Sequence, residues 1–206
     1  MARRAAPPLL RGPSPILDSP ILPRHWQPGL DFYGSKAVLW TEAFEHMRGQ
    51  DNAIIEPRVR EWFNAEVRDR VRPGALTAIA QHRAAGDLLV VATSSSHYVA
   101  GMAMETFGFA EAICTRLEIE NGLLTGHIVS AIGANKAVRA VEWAQARGAA
   151  LVDCTFYSDS ITDLPLLDKV GRPVVVNPDR RLHRLALQRG WPILDWGVSP
   201  MTARPQ

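Results

Sequence analysis

The order of hydrophobic and polar positions along the chain predicts several helices in its first half. Apolar residues recur at helical spacing over residues 37–47, 57–71 and 73–85. Glycines follow the first and third of these segments, and Pro57 suits the first turn of the second. The pattern therefore predicts three helices ahead of the first strong strand signal.

Strand-like runs begin at residue 88 and alternate with helical segments. Residues 88–92 are continuously apolar, which is typical of a strand buried on both faces, and the hydroxyl residues Thr93 to Ser96 follow. Asn121-Gly122, within residues 116–128, is a strong two-residue hairpin signal. Further strands are expected at residues 112–115, 154–157, 173–176 and 191–196, and helices at residues 99–107, 134–147 and 179–189. This alternation predicts an α/β fold with a parallel sheet whose strand ends lie at one edge.

Composition narrows the possible functions. A chain of 206 residues with 47% hydrophobic content predicts one globular domain with a real core, or one such domain with a small insertion. A net charge of +2 gives no electrostatic reason to expect binding to nucleic acid or membranes, and no apolar run reaches transmembrane length. Cys114 and Cys154 are expected to be buried free thiols of a cytoplasmic protein, because a disulfide framework needs more cysteines.

Proline content indicates how the chain is divided. Residues 1–30 contain seven of the 15 prolines, and each proline removes a backbone donor that a helix interior or central strand needs. We predict a disordered Pro/Arg-rich arm over residues 1–30 and a helical unit over residues 31–72. The α/β core is expected over residues 73–198, with a short tail at residues 199–206.

Polar side chains follow two of the predicted strands. Thr93 and Ser94 come after the first, where hydroxyls can bind a phosphate group or simply cap the next helix. Asp159 and Asp163 lie on a turn between a strand and a helix. Carboxylates at this spacing can hold Mg²⁺, or they can form a solvated acidic loop in which Asp163 caps the helix.

A lysine adds to this set. Only three of the 23 basic residues are lysines, and Lys136 lies near the start of a helix, where a cation opposes the helix dipole. A compact ammonium that reaches a phosphate oxygen or a carboxylate explains this position, and a chance surface lysine is the alternative. A hydroxyl, a lysine and two acids on successive strand ends are the parts of a metal-assisted phosphoryl-transfer site.

In this order, the residues resemble the motifs of the haloacid dehalogenase (HAD) superfamily, in particular its phosphoserine phosphatase-like branch. The resemblance covers about residues 36–196 and includes the Val176-Asn-Pro-Asp179 stretch. It implies a Rossmann-like fold with a small helical cap at residues 31–72. It also implies Mg²⁺-dependent hydrolysis of a small phosphorylated metabolite.

The resemblance also implies roles for individual residues. Thr93 and Lys136 match the catalytic hydroxyl and lysine, and Thr93, Ser94 and Lys136 are expected to bind the phosphoryl group. Asp159 and Asp163 match the acidic motif that binds Mg²⁺. Specificity is expected to come from the cap, whose candidate anion contacts are Arg58, Arg60, Arg68 and Arg70.

The family's first motif has no counterpart in this sequence. Family members begin with a strand that carries Asp-x-Asp-x-Thr, whose first aspartate is the nucleophile and whose second is the general acid and base. Asp18 is followed by Pro20 where the second acid belongs, and Asp31 is followed by Tyr33. In the family this strand lies between those that end at Thr93 and Asp159, so its loss would leave two strand edges unpaired.

Three explanations for the missing motif are open. The start or reading frame of the chain is misassigned, which we favour, or the chain is a non-catalytic relative, or Asp18 is a cryptic nucleophile. The expected function is therefore that of a phosphomonoester hydrolase with little turnover, and the alternative is a pseudoenzyme that binds phosphate or a partner. A dinucleotide-binding oxidoreductase ranks low because no Gly-x-Gly-x-x-Gly follows any predicted strand.

Overall fold

The computed structural model describes residues 45–198, in which helices and strands alternate as the sequence predicts. Helices α1 to α6 span Asn52–Glu66, Pro73–Ala84, His97–Phe107, Ala134–Ala146, Leu164–Leu167 and Arg180–Arg189. Strands β1 to β6 span Val90–Ser96, Glu111–Glu120, Leu123–Val129, Thr155–Ser158, Arg172–Val176 and Ile193–Leu194. Short 3₁₀ turns occupy Arg68–Arg70, Leu151–Asp153 and Ile161–Asp163. The predicted α/β class is confirmed.

Several predictions fall outside this part of the chain. The Pro/Arg-rich arm, most of the helix at residues 37–47 and the tail at residues 199–206 lie beyond the described residues. They stay predictions.

Helix α1 differs from its prediction at both ends. It begins at Asn52 rather than Pro57, because the Asp51 side chain caps it by accepting a hydrogen bond from the Ala53 N–H at 2.8 Å. Pro57 therefore lies inside the helix, where it has no N–H to donate. The helix ends at Glu66, and a 3₁₀ turn takes the place of its predicted last residues.

The six strands form two three-stranded sheets rather than the single parallel sheet that their alternation predicts. β1 pairs in parallel with β2, and β2 pairs with β3 as the predicted antiparallel hairpin. Asn121 and Gly122 at its turn have φ values of 52° and 80°, as a two-residue turn of this kind requires. β4, β5 and β6 form the second, fully parallel sheet.

β1 and β4 are edge strands, and within residues 45–198 neither has a second strand partner. The apolar run predicts a strand that is buried on both faces, but all seven residues of β1 keep partial solvent exposure. The edge that is unpaired within residues 45–198 explains this difference. β1 also extends through the hydroxyl residues to Ser96. The edges of β1 and β4 lie where the family resemblance places a further strand.

The hydrophobic core links the two sheets. Helix α4 contributes Ala137 and Ala140 to a buried cluster against which Val90 of β1 and Phe156 of β4 both pack. Ile113 of β2 and Leu166 of α5 complete this cluster. Helix α4 therefore spans the two sheets, and its first turn lies near the ends of β1 and β4.

Two further features of the structure concern membrane-spanning helices and the cysteines. None of the helices within residues 45–198 has the length and apolar character needed to cross a membrane. Both cysteines are free, with Cys114 buried and Cys154 half-buried, and burial raises the pKa of both thiols.

His97 is expected to make stability depend on pH. Its Nδ1 accepts a hydrogen bond from the Leu117 backbone N–H at 3.2 Å, and burial lowers its pKa below 6.5. The folded state therefore favours the neutral ring, and this stability is present above pH 6.5 and is lost as the pH falls towards the lowered pKa of the folded protein. We expect a decrease of at most about 1.4 kcal/mol per pH unit from this one proton.

Urea unfolding at several pH values between 7 and 5 measures this contribution. The His97→Asn variant keeps an acceptor oxygen and loses the titrating ring, so its free energy of unfolding should depend less on pH. An unchanged pH dependence in that variant would show that His97 is not responsible.

Candidate functional site

A cavity of about 540 Å³ lies between the two edge strands. Its walls include consecutive residues of β1, from Ala92 to Ser95, and the end of β4 with the residues after it, from Tyr157 to Ser160. The other lining residues are Arg72, Ala75, Ile132, Lys136, Thr162, Asp163, Val176 and Trp196. All five predicted site residues, Thr93, Ser94, Lys136, Asp159 and Asp163, therefore line the same cavity.

The hydroxyl side of the cavity is fixed by a buried threonine. Thr115, which has no exposed surface, donates a hydrogen bond from its hydroxyl to the Ser94 carbonyl at 2.9 Å. The same hydroxyl oxygen accepts the Ala131 N–H at 3.1 Å. Thr115 thus ties the end of β1 to the loop that leads into α4. Thr93 Oγ1 lies at the end of this unit, where it accepts the Ser95 N–H at 3.1 Å.

Lys136 points inward from the first turn of α4. Its residue is 4% exposed, which excludes a chance surface lysine, and its Nζ donates to Asp163 Oδ1 at 2.6 Å. Gly133 caps the helix with φ 56° and ψ −125°, a conformation that side chains strongly disfavour. The glycine thereby lets the chain turn sharply before Lys136 enters the cavity.

Asp163 holds the lysine and a serine together. Its Oδ1 accepts from Lys136, and its Oδ2 accepts from the Ser158 hydroxyl at 2.8 Å. The residue is 8% exposed, and its side chain does not cap α5, so the capping alternative is not observed. Both oxygens of this carboxylate are engaged by the protein itself, which favours a role in positioning Lys136.

Asp159 is the more accessible of the two acids. Its backbone carbonyl accepts the Asp179 N–H at 2.8 Å, and Asp179 in turn caps α6 and accepts the Ile161 N–H at 2.7 Å. Part of the Asp159 side chain faces solvent, yet desolvation by the surrounding protein raises the pKa of its carboxyl group. No lysine or arginine of the described region forms an ion pair with it. Within residues 45–198 its carboxylate is therefore available to a ligand.

The available donors fit a Mg²⁺ site of the kind that a phosphate group completes. No cluster of three or more His, Cys, Asp or Glu side chains suited to a metal occurs within residues 45–198. Mg²⁺ sites on phosphate-binding proteins commonly use one or two carboxylates, with phosphate oxygens and water as the other ligands. Asp159, which lines one cavity together with Thr93 and Lys136, matches that pattern.

The predicted cap arginines do not line the cavity. Three of the four form ion pairs with acids on the helical unit or on α3: Arg60 with Glu56 and Glu105, Arg68 with Asp69, and Arg70 with Glu66. Arg58 is likewise absent from the cavity wall. No residue of α1 contributes to the wall.

The lining residues that sequence reasoning missed include three with large side chains, Arg72, Tyr157 and Trp196. Trp196 follows β6, so the rule that ligands bind beyond strand ends could have identified it. Arg72 precedes the first residue of α2 and carries no comparable signal. At Tyr157 the sequence predicts only a strand and gives no signal of a contact with a ligand.

Comparison with known proteins shows which family the chain resembles. The sequence model of the haloacid dehalogenase-like hydrolase family matches residues 1–168. A probable phosphatase of Mycobacterium tuberculosis is 38% identical over 149 residues, which cover 72% of this chain and 52% of that protein. A phosphoserine phosphatase of the same organism is 32% identical over 165 residues, which cover 79% of this chain and 54% of that protein. The chain thus spans about half the length of these curated relatives.

A solved structure shares the architecture. A protein of unknown function from Bordetella pertussis Tohama I superposes with a TM-score of 0.73 and 29% sequence identity. The match covers 81% of this chain and 76% of that one. The arrangement of helices and strands described above is therefore found in another protein.

Proposed function

Because the chain belongs to the haloacid dehalogenase-like hydrolase family, we propose that its cavity binds the phosphoryl group of a small phosphorylated metabolite together with Mg²⁺. The observation that carries this proposal is the convergence of Thr93, Lys136 and Asp159 on one cavity from three separate segments of the chain. The phosphatase names of two relatives support a phosphomonoester as the ligand class.

Each residue has a role that follows from its contacts. The Thr93 hydroxyl donates a hydrogen bond to a phosphoryl oxygen, and Ser94 contributes to the same wall. The Lys136 ammonium, held in place by Asp163, supplies positive charge beside the phosphoryl group without having to be ordered on binding. Mg²⁺ bound at Asp159 supplies further neutralisation of charge on the phosphoryl oxygens.

Hydrolysis in this family requires a carboxylate nucleophile in addition to the groups that bind phosphate. Asp159 and Asp163 are the acids of the described region that line the cavity, and both have other roles in the proposal. No residue is thereby left as a carboxylate nucleophile within residues 45–198. Because the sequence also lacks Asp-x-Asp-x-Thr, we expect little or no hydrolysis of p-nitrophenyl phosphate. Phosphate binding without turnover, as in a pseudoenzyme, is the second candidate function.

Calorimetric titration with inorganic phosphate, with and without Mg²⁺, tests the binding proposal. The wild-type chain should bind phosphate more tightly when Mg²⁺ is present. Lys136→Met should weaken binding at least about tenfold, because a buried charge-assisted hydrogen bond of the kind lost is worth about 1.5–3 kcal/mol. Lys169→Met is the matched control, because that lysine is exposed and does not line the cavity.

The outcomes are distinct. Equal phosphate affinity in Lys136→Met and the wild type would contradict the assignment of the site. A robust rate with p-nitrophenyl phosphate that Asp159→Asn abolishes would show instead that the chain is an active phosphatase.

A further inference from the structure

We propose that the cavity contains a second subsite, formed by Arg72, Tyr157 and Trp196, which binds an aromatic leaving group of the phosphorylated ligand. The inference rests on the proposed function, because it assigns the part of the same cavity that lies beyond the phosphate. It names the substrate class as phosphomonoesters of aromatic or heteroaromatic alcohols.

The chemistry of this wall differs from that of the phosphate end. Tyr157 and Trp196 bring two partly buried rings to the cavity, with centroids 5.2 Å apart and planes inclined by 40°. Arg72 and Asp159 line the same cavity, so the Arg72 guanidinium adds positive charge to the cavity that also holds the phosphate end. Aromatic faces beside a guanidinium favour a planar ring, through stacking and through attraction of the cation to the π-system.

Trp196 is held in place from several sides. Its backbone N–H donates to Asn177 Oδ1 at 2.9 Å, and its carbonyl accepts the Gly74 N–H at 3.1 Å. Asn177 also donates through Nδ2 to Asp195 Oδ1 at 2.6 Å, and Arg72 donates to the Gly197 carbonyl. These bonds fix the backbone that carries the indole, and the ring itself packs against Tyr157, so less conformational freedom is left to lose when a ligand stacks on it.

The Tyr157 hydroxyl already forms a hydrogen bond within the protein. It lies 2.8 Å from His82 Nε2, and His82 Nδ1 lies 2.7 Å from Asp87 Oδ2. When the neutral His82 ring carries its proton on Nδ1, the Tyr157 hydroxyl donates to Nε2 and the Nδ1–H donates to the Asp87 carboxylate. The surface that Tyr157 leaves for the cavity is therefore the apolar ring.

Helix α1, which belongs to the predicted cap, does not contact the leaving group in this cavity. No residue of α1 lines the cavity, and three of the four arginines expected to contact a substrate anion are paired with acids. Within residues 45–198, selection among leaving groups therefore falls to the wall built by Arg72, Tyr157 and Trp196.

Calorimetry with inorganic phosphate, phenyl phosphate and cyclohexyl phosphate tests the subsite on the full chain with Mg²⁺. The two esters match in size and charge, and only the phenyl ring is aromatic. We expect phenyl phosphate to bind about 2- to 10-fold more tightly than cyclohexyl phosphate, the range measured for aromatic pairs beyond simple burial. Trp196→Leu should bring this ratio to about one, and Trp196→Phe should retain most of it.

Each result has a defined meaning. Inorganic phosphate should still bind all three proteins, which also shows that the variants fold. Equal affinity of the wild type for the two esters, with inorganic phosphate still bound, would overturn the subsite and leave the proposed function intact. Failure of inorganic phosphate and both esters to bind the wild type would overturn the proposed function and the subsite with it.

Discussion

Replacing Asp163 with asparagine is expected to lower the free energy of unfolding by about 3–5 kcal/mol, as when one partner of a buried ion pair is removed. The Asp163 and Lys136 side chains are 11% and 5% exposed, with Nζ and Oδ1 at 2.6 Å. Loss of the carboxylate charge leaves the lysine ammonium without its counter-charge and away from water. Urea denaturation of the two proteins measures the difference.

An exposed ion pair of nearly equal length provides the control. Arg60 and Glu105 lie 2.7 Å apart, with side chains that are 44% and 62% exposed, so Glu105→Gln should destabilise the protein far less than Asp163→Asn does. Lys136→Met combined with Asp163→Asn should be less destabilising than the sum of the two single changes. Additive effects, or equal costs for Asp163→Asn and Glu105→Gln, would contradict a buried pair.

Replacing Gly74 with alanine is expected to cost about 1–3 kcal/mol through overpacking. An added Cβ would lie 2.4 Å from Trp196 Cδ1 and 2.7 Å from its Cα, so either the start of α2 or the segment around Trp196 must shift. The change should also weaken binding of phenyl phosphate, because the shift displaces the aromatic wall. Urea denaturation and calorimetry measure the two effects.

Gly101 is the matched control for this substitution. It lies inside α3, where an added Cβ meets no atom within 4 Å, and alanine should be neutral or stabilising by about 0.5–1 kcal/mol. Equal stability of the Gly74→Ala and Gly101→Ala proteins would mean that Trp196 does not pack against α2 as described.

Local signals in the sequence identify much of the cavity because strand ends and helix starts have strong patterns. The apolar run before Thr93 and the rarity of lysine at Lys136 both point to residues that the structure brings together. Asp159 and Asp163 differ in burial, and their spacing in the sequence does not reveal this difference. One carboxylate is free, and the other is engaged by Lys136 and Ser158.

The parts that sequence reasoning missed depend on contacts between distant residues. Arg72 meets Gly197 across 125 positions, and no local pattern encodes that contact. The division into two sheets arises from strand pairing, whereas periodicity reports only which residues form strands. Pro57 favours a helix start at that residue, whereas the Asp51 side chain caps α1 six residues earlier through its hydrogen bond with the Ala53 N–H.

A crystal structure of the protein with Mn²⁺, as an anomalous substitute for Mg²⁺, and orthovanadate tests the central claim most directly. The account predicts vanadate oxygens within hydrogen-bond distance of Thr93 Oγ1 and Lys136 Nζ, with an anomalous peak at the Asp159 carboxylate. Vanadate bound elsewhere, or Thr93, Lys136 and Asp159 facing different regions of the molecule, would contradict it.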